Sequence, residues 1–145
     1  MVDLGPARCF LGINIDRTEQ GGYPLQQTPY IESLLQRYGM TDAYGTDTPI
    51  DIHIALDIAK NDEEKLVDQK TYLAMVDTLM YAAQGTRPDI CYAVGLLSRF
   101  NTEPRTRHLT AAKRVLRYLK NTTNRKLTYT ARNQNLHGFV DADWA

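Results

Sequence analysis

Between Thr106 and Lys120 the chain changes its chemistry with a helical period, and that segment limits what the rest can be. At 100° per residue, Leu109, Ala111, Ala112, Val115, Leu116 and Leu119 fall within one half of the helical wheel. Lys113, Arg114, Arg117 and Lys120 fall on the other half. A helix with such a stripe has to bury it, so the chain must supply further helices or a sheet to pack against it. With 145 residues, 43% of them apolar, it has enough material for one domain, or one domain with fragments.

The same stretch polarises the charge. Net charge is zero, yet from Pro104 to Val140 there are nine basic residues (Arg105, Arg107, Lys113, Arg114, Arg117, Lys120, Arg125, Lys126 and Arg132) and no Asp or Glu. Residues 1–103 hold the other eight Lys/Arg and fifteen Asp/Glu, and Asp141 and Asp143 complete the acids. A one-signed region of this kind suits a polyanion partner.

Local signals give the remaining elements. Residues 9–15, CFLGINI, are apolar and partly β-branched and predict a strand. Gln20-Gly21-Gly22 marks a turn, and Tyr23 to Gln27 returns as the second strand of a hairpin, with Pro24 keeping it at a sheet edge. Thr28-Pro29 opens a helix, Thr28 as cap and Pro29 in the first turn; Ile31, Leu34, Leu35 and Tyr38 form its apolar face and Gly39 ends it. Residues 40–66 carry Pro49 and the run Asn61-Asp62-Glu63-Glu64-Lys65 and predict an exposed loop without the spacing of a calcium site. A second helix over roughly 68–84 presents Tyr72, Leu73, Val76, Leu79, Met80 and Ala83. A third starts at Pro88-Asp89, buries Ile90, Val94 and Leu97, and breaks over Asn101 to Pro104. After Asn121 the period changes, and Leu127–Thr130 and Leu136–Val140 read as strands around a turn at 133–135. The fold class is α+β: an N-terminal hairpin, about four mostly amphipathic helices, and a C-terminal pair of strands.

Other features exclude whole classes. No apolar run approaches the roughly 20 residues of a membrane span. The start, MVDLGPARCF, lacks the pattern of a secretory signal. Cys9 and Cys91 stand in no metal-ligand spacing and read as reduced, buried thiols of an intracellular protein.

Six phrases in order carry a resemblance. They are Asp3-Leu4-Gly5 with FLGINI; QQTPYIESLLQRYGM from Gln26 to Met40; Thr48-Pro49-Ile50-Asp51; Leu79-Met80-Tyr81-Ala82 with Thr86-Arg87-Pro88-Asp89-Ile90 and Leu97-Ser98-Arg99-Phe100; HLTAAKRVLRYLK from His108 to Lys120; and the closing Gly138-Phe139-Val140-Asp141-Ala142-Asp143-Trp144-Ala145. Together they resemble the copia-type retrotransposon Pol polyprotein, from just past the polymerase catalytic aspartates to the start of RNase H. The resemblance implies three parts: residues 1–27 as the end of the palm with a primer-grip-like hairpin, 28–125 as a helical thumb and connection region, and 126–145 as the first strands of an RNase H sheet. It implies an intracellular setting, a cytoplasmic particle or the nucleus. It also implies two partners, an RNA–DNA hybrid or primer–template duplex and the remainder of the polyprotein, and no membrane. One position departs from the family: Asp77 stands where a small residue is usual.

The family's Tyr-x-Asp-Asp turn does not occur here, and no two aspartates are adjacent. Two-metal phosphoryl transfer needs several carboxylates converging on ions about 4 Å apart. Asp141, at the end of a predicted strand, matches the family's first RNase H metal ligand, and Asp143 is a weaker candidate. The Mg2+ belongs to the parent enzyme, and no tight binding to this chain is expected. Phe10, Leu11 and Gly12 match the hairpin that grips the primer, where a glycine permits close backbone approach. Lys113, Arg114, Arg117 and Lys120 would track phosphates. A cationic helix face is commonly just solvated, but the lack of any acid over 104–140 favours phosphate binding. Tyr118 and His108 read as packing residues, and Arg87 as half of a local ion pair. Two other readings stay open: a stand-alone nucleic-acid-binding module, and a structural or non-functional remnant.

Because one or two acids cannot hold two ions, the chain should leave the RNA strand of an RNA–DNA hybrid intact in magnesium. Gel analysis of an end-labelled hybrid checks this, and robust magnesium-dependent cutting would refute it.

Overall fold

The computed structural model describes residues 5–51, 56 and 65–130. Four strands, β1 (Cys9–Phe10), β2 (Ile13–Ile15), β3 (Tyr23–Gln26) and β4 (Leu127–Tyr129), form one antiparallel sheet in the order β1-β2-β3-β4. Among the described residues four helices lie between β3 and β4 in sequence: α1 (Thr28–Arg37), α2 (Gln69–Gly85), α3 (Cys91–Ser98) and α4 (Thr106–Asn121). A 3-10 turn at Pro88–Ile90 leads into α3. The α+β class is as the sequence predicts. The first C-terminal strand is β4, and its partner among the described residues is β3 of the leading hairpin, through Tyr23–Tyr129 and Leu25–Leu127. The second, 136–140, lies outside the described residues.

The predicted single strand over 9–15 is in fact two. Leu11 and Gly12 both take positive φ, 49° and 74°, and turn the chain back on itself between β1 and β2. Two successive left-handed residues make the tight turn whose twist matches paired strands. Leucine is a poor residue for it, which is why the sequence reads as one continuous run.

The buried core comes from the helices and their connections. Ile31, Leu34 and Leu35 of α1 meet Tyr72, Met75, Val76, Leu79, Ala82 and Ala83 of α2, Ala93, Val94 and Leu97 of α3, and the stripe of α4. On α2 the buried face is rotated from the predicted one: Leu73 is exposed, and Met75 and Ala82 are buried in its place. Asp77 is exposed, so the departure from the family puts a charge in water and not in the packing. Both thiols are free and exposed, unlike the predicted pair: Cys9 sits on the short edge strand and Cys91 on the outer side of α3's first turn. Among the described residues no helix is long and apolar enough to cross a membrane.

Helix ends are set by identifiable groups. Thr28 does not cap α1; it is the first helical residue, Gln27 holds the cap position, and the Thr28 hydroxyl donates to the Thr123 carbonyl at 3.2 Å. Gly39, at φ 63°, stops α1 by letting the Met40 amide reach the Leu35 carbonyl at 2.7 Å. The Asp68 carboxylate caps α2 by accepting from the Thr71 amide at 2.8 Å. His108 serves the start of α4: its Nδ1 accepts from the Arg105 amide at 3.0 Å, and its Nε2 faces the Leu56 carbonyl at 2.9 Å. Those partners assign the neutral ring protonated at Nε2. The ring stacks on Phe100, centroids 4.0 Å apart, so His108 packs as the sequence predicts.

The largest fully buried side chain among the described residues is not apolar. Arg87 is 1% exposed. Its Nε and Nη2 donate to the two oxygens of Asp89 at 3.0 and 2.9 Å, and its Nη1 donates to the Thr122 carbonyl at 3.1 Å. Asp89 also accepts from the Tyr118 hydroxyl at 2.7 Å. Burial raises the Asp89 pKa, but the hydrogen bonds from Arg87 and Tyr118 and the Arg87 charge outweigh it and hold the carboxyl below the ordinary range. The local pair predicted from the sequence is therefore also the pin that fixes the end of α4 to the α2–α3 corner.

Removing Arg87 takes its main partner from a partly buried carboxylate, leaving it Tyr118 and, at 3.5 Å, Arg125. Arg87→Met should cost about 3 kcal/mol in urea unfolding. In the wild type the Asp89 contribution is complete above the unfolded aspartate value of about 4 and is lost as pH falls through the lower native value. The variant should lack that acid-side decline.

Candidate nucleic-acid interface

The tip of the β1–β2 hairpin is the most exposed apolar feature of the sheet. Phe10 is 65% and Leu11 71% exposed, side by side at the turn. Leu11 holds a left-handed backbone that costs a non-glycine residue roughly 1–2 kcal/mol. The turn is braced from beneath: the Tyr81 hydroxyl on α2 donates to the Leu11 carbonyl, and a Cβ on Gly12 would lie 3.4 Å from that hydroxyl. Tyr81 in turn meets Tyr30 of α1 edge to face, centroids 4.8 Å apart. The hairpin thus presents two apolar side chains and a close-approach glycine from a seat on the helical unit.

The basic face of α4 is partly occupied. Arg114 Nη2 donates to the Thr48 hydroxyl at 2.9 Å and Nη1 lies 3.6 Å from the Asp51 carboxylate. Arg117 Nε donates to the Tyr44 carbonyl at 2.6 Å, and Lys120 Nζ to the Ala43 carbonyl at 2.8 Å. Asn121 adds contacts to the Thr46 carbonyl and the Asp47 carboxylate, and a Cβ on Gly45 would come within 2.8 Å of the Asn121 side chain. Three of the four predicted phosphate-binding cations therefore hold the 43–51 loop against α4. Lys113 is exposed. The hairpin tip rests on α2 and the cations hold the 43–51 loop, so the structure seats the two predicted contact groups on different elements.

Sequence reasoning did not find Tyr81, Gln27 or the loop clamp. Gln27 is buried, its Oε1 accepts from the Thr86 hydroxyl at 2.9 Å, and a Cβ on Gly85 would fall 2.5 Å from that oxygen. All three are contacts between residues far apart in sequence and leave no local period. The one available signal was Gly12 inside an otherwise β-forming run. Asp141 and Asp143 lie outside the described residues. Among the described residues no three His, Cys, Asp or Glu side chains gather as metal ligands, so no metal-dependent step is assigned to them.

Comparison with known proteins reaches the whole chain. It is 40% identical to the retrovirus-related Pol polyprotein from transposon TNT 1-94 of Nicotiana tabacum, across all of this chain and 11% of that protein. It is 42% identical to the Pol polyprotein from transposon RE1 of Arabidopsis thaliana, over 94% of this chain and 9% of the relative. An uncharacterized mitochondrial protein of Arabidopsis thaliana, AtMg00810, is 37% identical across all of this chain and 59% of its own length. The chain thus spans less than two thirds of each of these relatives. No protein-family model matches, and no solved structure matches.

The strained turn gives a stability test. Leu11→Asn puts a residue that tolerates the left-handed region at the first turn position, and should raise stability by about 1 kcal/mol in denaturant melts.

Proposed function

The chain is homologous along its length to the Pol polyproteins of copia-type retrotransposons, and from that premise we propose that it is a reverse transcriptase segment that holds primer–template duplex. In the parent polyprotein it would link the polymerase and RNase H sites, which carry out RNA-templated DNA synthesis and removal of the RNA strand. The observation that carries this reading is the hairpin tip. A costly backbone conformation at an exposed leucine, beside an exposed phenylalanine, is a feature that use, not stability, explains. Phe10 and Leu11 would lie against the sugar edges of the primer, and Gly12 would let the backbone come close. Lys113 would add a phosphate contact, and the other three cations would contribute their field while holding the loop.

Magnesium, when bound in the parent, would neutralise charge on the reacting phosphoryl oxygens. Asp141, and more weakly Asp143, are the residues of this chain proposed to help hold it, together with acids supplied elsewhere in the polyprotein. A second reading, a purely structural helical unit, is favoured by one observation, the engagement of Arg114, Arg117 and Lys120 with the 43–51 loop.

Binding of a blunt RNA–DNA hybrid, followed by fluorescence anisotropy, separates the two. Leu11→Asn should weaken binding several-fold although it strengthens the fold, and Lys113→Gln should lower the salt dependence by about one counterion. Hybrid affinity unchanged in both variants would leave the structural reading standing.

A further inference from the structure

The register of the sheet sorts its side chains into two unlike faces. Residues directly paired across strands share a face, as do residues two apart along a strand. Phe10 pairs with Ile13, Ile15 with Leu25, Leu25 with Leu127, and Tyr23 with Tyr129. One face therefore carries Phe10, Ile13, Ile15, Tyr23, Leu25, Leu127 and Tyr129, all apolar or aromatic. The other carries Cys9, Asn14, Pro24, Gln26 and Thr128. None of the seven belongs to the buried core. The three aromatic rings are its most open members, with Tyr23 42% and Tyr129 58% exposed beside Phe10.

A wholly aliphatic, uncharged face would offer a nucleic acid neither a ring to stack on nor a phosphate contact. This one is aromatic where it is most exposed, and it carries a cation. Arg17 continues the alternation of Ile13 and Ile15, and its guanidinium sits 5.4 Å from the centre of the Tyr23 ring. The acid nearest this cation in sequence, Asp16, is already paired with Lys126 at 2.8 Å. Rings spaced by cross-strand pairing, with a cation stacked at one end, match a run of unpaired bases joined by phosphates.

We propose that the Tyr23–Tyr129 face of the sheet is a binding platform for single-stranded nucleic acid, with bases stacking on the two tyrosines and Arg17 meeting a phosphate. This deepens the nucleic-acid reading above and rests on it, but it assigns a second surface and a different ligand form from the duplex at the hairpin tip.

The test uses the full chain with fluorescein-labelled dT10 and rU10, the two arms telling a DNA strand from an RNA strand, and a blunt hybrid in parallel. Phe10 is left untouched because both surfaces share it. Tyr23→Val and Tyr129→Val keep β-forming residues and should each weaken single-strand binding about fivefold or more while hybrid affinity stays constant. Tyr23→Phe and Tyr129→Phe should retain wild-type affinity, since the ring and not the hydroxyl is used. Arg17→Gln should weaken binding and flatten its salt dependence, and it tests the platform even where a valine variant folds poorly. No oligonucleotide binding by the wild type, or equal binding by the valine and Arg17→Gln variants, overturns the proposal. So does a wild-type dimer in light scattering that the valine variants convert to monomer with no change in oligonucleotide affinity, because the face would then join two copies. Loss of hybrid binding in Leu11→Asn alone bears on the hairpin tip and leaves the platform result independent.

Discussion

A buried guanidinium organises this molecule. Arg87 has no solvent to share its charge with, so its geometry is dictated by the groups that satisfy it, and those groups come from separate places: Asp89 two residues on and Thr122 just past the end of α4. Tyr118 completes the arrangement, accepting from Arg125 at 2.8 Å and donating to Asp89. The guanidinium groups of Arg87 and Arg125 lie 5.5 and 5.7 Å from its ring centre. A planar donor with a fixed fork can be satisfied in few ways, and a lysine in its place could not make the same set of bonds. The exit of α4, and with it the approach of β4 to the sheet, depends on that fit.

The elements that share a local period were legible in the sequence. The α4 stripe is buried as its wheel indicates, and the Schellman end at Gly39 and the Arg87–Asp89 pair follow from residues close in sequence. What escaped is tertiary. The clamp of the 43–51 loop pairs residues more than sixty positions apart and uses backbone carbonyls, which every residue possesses. The left-handed turn at Leu11 escaped for the opposite reason: its first residue has the composition of a strand and contradicts its own conformation. The cap of α1 shifted by one residue because the Thr28 hydroxyl found a carbonyl beyond α4 to bond instead.

The candidate site was legible to the same partial degree. The sequence pointed to the hairpin and to α4, because glycine placement and charge are composition-level signals. It could not say that three of the four cations of α4 were already donors to a neighbouring loop, nor that the hairpin stands on Tyr81. A charge that also holds a loop in place remains a charge, and its field still acts on a polyanion, but it is no longer free to follow one.

The junction of β3 with β4 places about one hundred residues, the four described helices among them, between two strands that lie side by side. Closing a loop of that length before anything inside it has formed costs on the order of 4 kcal/mol in chain entropy, and two short strands return little for it. Chain entropy therefore favours the helices forming before β4 docks, with the corner at Arg87 delivering the fourth strand to its neighbour. Pairing of β4 with β3 is then the late event, and β4 should be the first strand to exchange its amide protons.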